Sequence, residues 1–221
     1  MTTVARRSAV IFDLDGVLVD SHEVAGRAFA AAYAEVVGDG PAPVAEYQRY
    51  QGVYLPEVLR ALGLPAEMAE PFVRESHRLA GEVPVVDGIV DLLETLRARG
   101  PGLAVATGKS GARARSLLEI LGIAEFFDHV IGSDEVARPK PAPDIVLRAL
   151  RLLDVPAEQA IMVGDAPADV RSARGAGVTA AAATWATVDE DELLASGPDL
   201  VLKSPADLLA WWPPAPVGGL G

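Results

Sequence analysis

Apolar residues follow two different rhythms along the chain. The first appears as a short unbroken run, Ala9-Val-Ile-Phe12, followed at once by Asp13-Leu-Asp15-Gly16. A run this short, closed by glycine, predicts a buried parallel strand with two carboxylates at its carboxyl end. From residue 21 to 37 apolar positions recur at helical spacing in an alanine-rich stretch, and Gly38-Asp-Gly-Pro-Ala-Pro43 breaks the pattern. Helical spacing returns over 44–50, 55–62 and 66–80, with little between that reads as strand.

From about Gly88 the rhythm changes to helix and strand in alternation. Helices are predicted over 89–99, 112–121, 144–153 and 168–175, and strands over 103–106, 129–131, 160–163, 178–183 and 200–202. That alternation predicts an α/β fold, a Rossmann-like core in which helices flank a parallel sheet. Residues 1–19 and 84–212 would form this core, and 20–83 an inserted helical domain of ordinary small-domain size. The Pro/Gly-rich residues 213–221 read as a flexible tail.

Composition narrows the function classes. The chain has 221 residues, half of them hydrophobic, enough for one sizeable core. A net charge of -12 disfavours nucleic acid and anionic membrane surfaces, so a phosphate-bearing ligand must be drawn by local cations or a metal. The expected partner is a small molecule. The absence of cysteine excludes disulfides, thiolate metal sites and cysteine nucleophiles. No apolar run approaches the roughly 20 residues of a membrane span, and the first run is interrupted by Asp13, so a cytoplasmic protein is expected.

In a parallel sheet the loops after each strand gather at one edge. Those loops carry Asp13 and Asp15; Thr107, Gly108, Lys109 and Ser110; Ser133, Asp134, Arg138 and Lys140; and Asp165 with Asp169. Several carboxylates meeting there would raise one another's pKa unless a cation sat among them, and hard oxygen donors point to Mg²⁺. A hydroxyl from Thr107 and an ammonium from Lys140 would suit the remaining oxygens of a phosphate. Taken singly, each has a plainer reading: a turn at Asp13 and Asp15, a helix cap at Asp169, surface charge at Lys109 and Arg138. Gly108-Lys-Ser110 ends like a P-loop, but Leu103 stands where its first glycine belongs. His22, His77 and His129 share no ligand spacing, which argues against zinc, and Trp185, Trp211 and Trp212 are expected to cover the core.

Four motifs in order, Phe12-Asp-Leu-Asp-Gly-Val17, Thr107 at a strand end, Lys140 in Arg138-Pro-Lys-Pro, and Gly164-Asp165 with Asp169, resemble the haloacid dehalogenase superfamily over nearly the whole chain. The branch resembled is the magnesium-dependent phosphatases with a helical cap. The resemblance implies Asp13 as a nucleophile that becomes an aspartyl phosphate, and Asp15 as an acid and base whose pKa stays from falling far. It implies Mg²⁺ held by Asp13, the backbone carbonyl of Asp15, Asp165 and, as ligand or neighbour, Asp169. Thr107 and Lys140 would stabilise the phosphoryl oxygens, with Gly108 and Lys109 beside them. Ala166 departs from the serine or threonine common there, which removes a hydroxyl near the metal.

The cap would select the leaving group, with Tyr47, Arg49, Tyr50, Gln51, Gly52 and Tyr54 as candidate contacts. The chain is generally similar to phosphoglycolate phosphatases. Residues 31–41, 71–76 and 131–140 more closely resemble phosphatases associated with 3-amino-5-hydroxybenzoate synthesis, which implies a phosphorylated amino-sugar or similar intermediate. A sugar phosphomutase of the same fold and a non-catalytic binding module are the alternatives. A metal-free dehalogenase would have no need of Asp15, Asp165 and Asp169.

Overall fold

The computed structural model describes residues 8–38, 40–50, 52–187 and 189–212. Its six strands are β1 (Ala9–Phe12), β2 (Gly102–Thr107), β3 (His129–Gly132), β4 (Ala160–Gly164), β5 (Thr179–Ala183) and β6 (Leu200–Leu202). They form one parallel sheet in the order β3-β2-β1-β4-β5-β6. β1 lies inside it and all four of its residues are fully buried, which is why it reads as an unbroken apolar run. The register sets Phe12 beside Val105 and Val163. The carboxyl ends of β1, β2 and β4 therefore reach the same edge together.

Between β1 and the rest of the sheet the chain forms α1 (His22–Val36), α2 (Val44–Gln48), α3 (Leu55–Ala61) and α4 (Ala69–Arg78). α1 packs against α2 and α4, and the Tyr47 ring stacks on Phe29 at 4.3 Å between centroids and meets Phe72 edge-on at 5.7 Å. Where this segment leaves and rejoins the sheet, the two chain lengths run side by side. Val19 bridges Val85 antiparallel, Asp20 N donates to Pro84 O at 3.0 Å and Val86 N to Leu18 O at 3.0 Å.

The remaining helices are α5 (Ile89–Arg99), α6 (Gly111–Ile120), α7 (Asp144–Leu153), α8 (Pro167–Gly175) and α9 (Glu190–Ala195). Successive strand residues point to opposite faces, so each face has its own core. Val10, Phe12, Val105 and Val163 share one with Leu92, Leu96, Leu117 and Leu118 of α5 and α6. Ile11, Ala104, Ala106 and Met162 share the other with Ile145, Val146, Val170 and Ala173 of α7 and α8.

Several elements depart from the sequence expectation. The helix expected over 66–80 begins as a 3-10 turn, Ala66–Met68, before α4 takes over, and 3-10 turns also form at Ala80–Glu82 and Pro205–Trp211. α9 was not expected: its six residues bury only Leu193, too few for a helical stripe. Trp212 is buried and Trp185 is half-buried, its indole N–H donating to Val17 O at 3.1 Å, whereas Trp211 is exposed. Residues 213–221, expected to be a flexible tail, lie outside the described residues. Among the described residues no helix is long and apolar enough to cross a membrane.

Candidate active site

Asp13 directly follows β1 and is fully buried, its own N–H still bonded to Val163 O at 2.8 Å. Its two carboxylate oxygens have different surroundings. Oδ1 accepts from the Leu14 amide at 2.7 Å and lies 3.0 Å from the Lys140 ammonium, while Oδ2 has no hydrogen-bond partner among the described residues. Lys140 arrives from the loop between β3 and α7, and its Nζ also donates to Asp169 Oδ1 at 2.6 Å and Ala106 O at 3.1 Å. Asp165 follows β4. Asp169 lies in the first turn of α8, where its Oδ2 caps the helix by accepting from Ala166 N at 3.1 Å. Asp169 thus caps the helix with one oxygen while the other pairs with Lys140.

One oxygen from each of Asp13, Asp165 and Asp169 can be chosen so that all three lie within 4.8 Å of one another, and all three residues are buried. Three carboxylates and a single ammonium leave an excess of negative charge. Burial pushes Asp13 up to about 7 and, with the neighbouring carboxylates, outweighs the lowering by Lys140. Asp165 is raised well above the usual range, first by burial and then by Asp13 and Asp169. Lys140 is raised in turn, because the attraction of Asp13 and Asp169 outweighs the cost of burying its charge. An orphaned buried oxygen, a set of hard oxygen donors and a deficit of positive charge are the surroundings that a divalent cation fits.

Asp15 is outside this cluster. Its carboxylate accepts from the Lys109 ammonium and the Ser21 hydroxyl. Burial alone would raise its pKa, but Lys109 and Ser21 lower it below the usual carboxylate value. The resemblance implies a pKa that does not fall far; it is lowered here because Lys109 turns inward instead of into solvent. Gly16 has φ +71°, and a Cβ there would lie 1.9 Å from Asp165 Oδ2. Only glycine lets the loops after β1 and β4 approach this closely.

Thr107 is fully buried and its Oγ1 accepts from Lys109 N at 3.2 Å, while Ser133 Oγ donates to Thr107 O at 3.1 Å. Gly108 meets the helical segment: a Cβ on it would lie 2.1 Å from Gly52 O. Gly52 is in turn near the acidic cluster, since its own Cβ position would be 3.7 Å from Asp13 Oδ2. A cavity of about 120 Å³ extends from Asp15, Lys109 and Gly52 between α6 and the helical segment, with Tyr47 and Tyr50 among its lining residues.

Other candidates fall elsewhere. Arg49 is exposed and does not line the cavity, because α2 turns it outward while Tyr47 turns in. Tyr54 serves as the residue before α3, its carbonyl accepting from Glu57 N at 2.9 Å. Gln51 lies outside the described residues. Arg138 is a surface residue that pairs with Asp144 at 2.7 Å.

Two groups escaped sequence reasoning. Thr187 Oγ1 donates to the Asp165 carbonyl at 2.8 Å, placing a hydroxyl beside the acidic cluster although Ala166 has none. Arg113 lines the cavity, and its spacing of four from buried Leu117 on α6 was the available signal.

The family model for haloacid dehalogenase-like hydrolases matches residues 10–183. The chain is 34% identical over 208 residues to the probable phosphatase IndB of Dickeya dadantii, covering 88% of this chain and 89% of that protein. It is 31% identical over 205 residues to the phosphoglycolate phosphatase of Aquifex aeolicus, covering 90% and 94%. A haloacid dehalogenase-like family hydrolase from Streptococcus pneumoniae superposes with a TM-score of 0.81 at 30% identity, covering 94% of this chain and 99% of the other. With acidic and cationic side chains converging where parallel strands end, and with similarity along most of its length, the chain belongs to the haloacid dehalogenase-like hydrolases.

Proposed function

We propose that the protein is a Mg²⁺-dependent phosphatase that hydrolyses a small-molecule phosphate monoester through a phosphorylated Asp13. The observation that carries this reading is the asymmetry of Asp13, whose Oδ1 is fixed by the Leu14 amide and Lys140 while Oδ2 is left without a partner. Oδ2 is the oxygen available to attack phosphorus. Asp13 and Asp165, with the Asp15 backbone carbonyl, would hold the metal, and Asp169 would act mainly by holding Lys140 in place. When bound, Mg²⁺ supplies the positive charge that lets an anionic phosphate approach an anionic nucleophile.

In the first step a bond forms between Asp13 Oδ2 and phosphorus, the bond to the leaving oxygen breaks, and that oxygen receives a proton. In the second, water attacks phosphorus, its proton passes to a base and Asp13 is released. Asp15 would serve both transfers. Its contact with Lys109 favours the ionised form, the one that accepts a proton from water. Protonating the leaving oxygen requires that contact to open. Lys140 and the Thr107 hydroxyl face the phosphoryl oxygens from the β2 and β3 loops. The segment 20–83 would act as a cap, because the Gly52 loop lies against Gly108 and over Asp13.

Asp13→Asn is expected to abolish Mg²⁺-dependent phosphate release from an aryl phosphate while circular dichroism remains unchanged. Undiminished turnover in that variant, or full activity in chelator, would overturn the mechanism. A panel of phosphorylated hydroxy acids, sugars, amino-sugars and nucleotides, assayed for free phosphate, would identify the substrate class. The amino-sugar arm covers the resemblance to phosphatases of 3-amino-5-hydroxybenzoate synthesis, and isomerised sugar phosphate without free phosphate would indicate a mutase.

A further inference from the structure

Arg113 enters the cavity from the first turn of α6, on the sheet side, and its Cζ stands 5.1 Å from the centroid of the Phe72 ring on α4. Arg27, Arg74, Arg78, Arg97, Arg115 and Arg138 each pair with a carboxylate near the surface. Arg113 is half-buried and, among the described residues, has neither an ion pair nor a hydrogen bond. Burial lowers its pKa, and the negative charge of Asp15, which makes no ion pair with it, offsets this only in part. On the same face of α4 as Phe72, one turn further on, Ser76 also borders the cavity, its hydroxyl oxygen itself buried. An unpaired guanidinium therefore stands at one small and otherwise largely apolar space.

We infer that Arg113 receives a carboxylate carried by the leaving group, so that the substrate is a compact hydroxy acid esterified with phosphate. This inference rests on the phosphatase reading above and assigns its substrate class. Size supports it: the cavity, about 120 Å³, is close to the roughly 150 Å³ of an apolar cavity that admits benzene. It takes a single ring or a short chain. Chemistry supports it as well, since Val53, Val58, Phe72 and Leu117 give the wall an apolar stretch that suits a ring or short hydrocarbon chain better than a polyhydroxylated sugar.

A carboxylate suits one guanidinium, which it can meet with two parallel hydrogen bonds. A second phosphate would call for more positive charge than the cavity has free. Lys109 is committed to Asp15, His22 to the Ala186 carbonyl at 3.2 Å, and His77 is exposed at the rim.

The test is steady-state phosphate release by the Mg²⁺-loaded protein from 3-carboxyphenyl phosphate, phenyl phosphate, glucosamine 6-phosphate and pyrophosphate. The carboxylated ester is expected to exceed phenyl phosphate in kcat/KM by about tenfold or more, the worth of one charge-assisted contact, with the difference mainly in KM. Arg113→Met should bring that ratio to near unity, and Arg113→Lys should retain part of it. Equal use of the two aryl esters by the unaltered protein, preference for glucosamine 6-phosphate or pyrophosphate, or an unchanged ratio in a folded Arg113→Met protein would each overturn the inference. The comparison in the unaltered protein decides the matter even if the variant does not fold. Release from no ester would overturn the phosphatase reading itself, and this inference with it.

Discussion

Asp13 and Asp15 are separated by one residue and meet opposite electrostatic conditions. Asp13 shares its surroundings with two carboxylates and a single ammonium, and burial pushes it up to about 7, whereas Lys109 and Ser21 hold Asp15 down against burial. Lys140 is the cation on which the first arrangement depends. Lys140→Met is expected to destabilise the metal-free protein by about 3 kcal/mol or more, since it leaves buried carboxylates uncompensated. Urea denaturation at pH 8 would measure this, and added Mg²⁺ should recover part of the loss by restoring positive charge. Residues at strand ends were legible in the sequence because a strand's end fixes where they stand, and Asp13, Thr107 and Asp165 follow that rule. Arg113 and Thr187 were not, because each gains its meaning from a neighbour distant in the chain: Phe72 and Asp165.

At the scale of elements, the strongly periodic or unbroken apolar segments formed close to where their patterns lie. α5 and α7 cover 89–99 and 144–153 and β6 covers 200–202, as the sequence predicts. α9 and the 3-10 turn at Pro205–Trp211 escaped because six and seven residues are too short to show a period. Asp128 is one link between elements: it accepts from Leu103 N at 2.8 Å at the start of β2 and from Arg97 at 2.9 Å near the end of α5. Burial raises its pKa, but these two contacts lower it further, to a net value below 3.8. A depressed carboxylate stabilises the fold above its unfolded pKa, so this contribution is present at neutral pH and fades as pH falls below about 4. Asp128→Ala should cost about 1 kcal/mol at pH 7, with solvent screening keeping the value small. The difference from the unaltered protein should shrink in denaturation measured near pH 3.

The molecule as a whole brings a helical segment made early in the sequence over an edge made by the remainder. One close approach is the backbone of Gly52 against Gly108, which leaves no room for a side chain at the second position. Gly108→Ala is expected to hold the two apart and lower kcat/KM on an aryl phosphate by roughly a hundredfold, as misplacement by an ångström can do. Retention of full activity would show that the approach is not needed for turnover.

The position of β1 inside the sheet also bears on how the protein is made. Its register partners begin at Gly102 and Ala160, so Asp13 leaves the ribosome early and waits for most of the chain before its strand can pair on both sides. Helices α1 to α4 depend on nearer neighbours and can form in the interval. Asp13 is thus synthesised ahead of both strands that set it in place, and a chain released before β4 would leave β1 with an open, sticky strand edge.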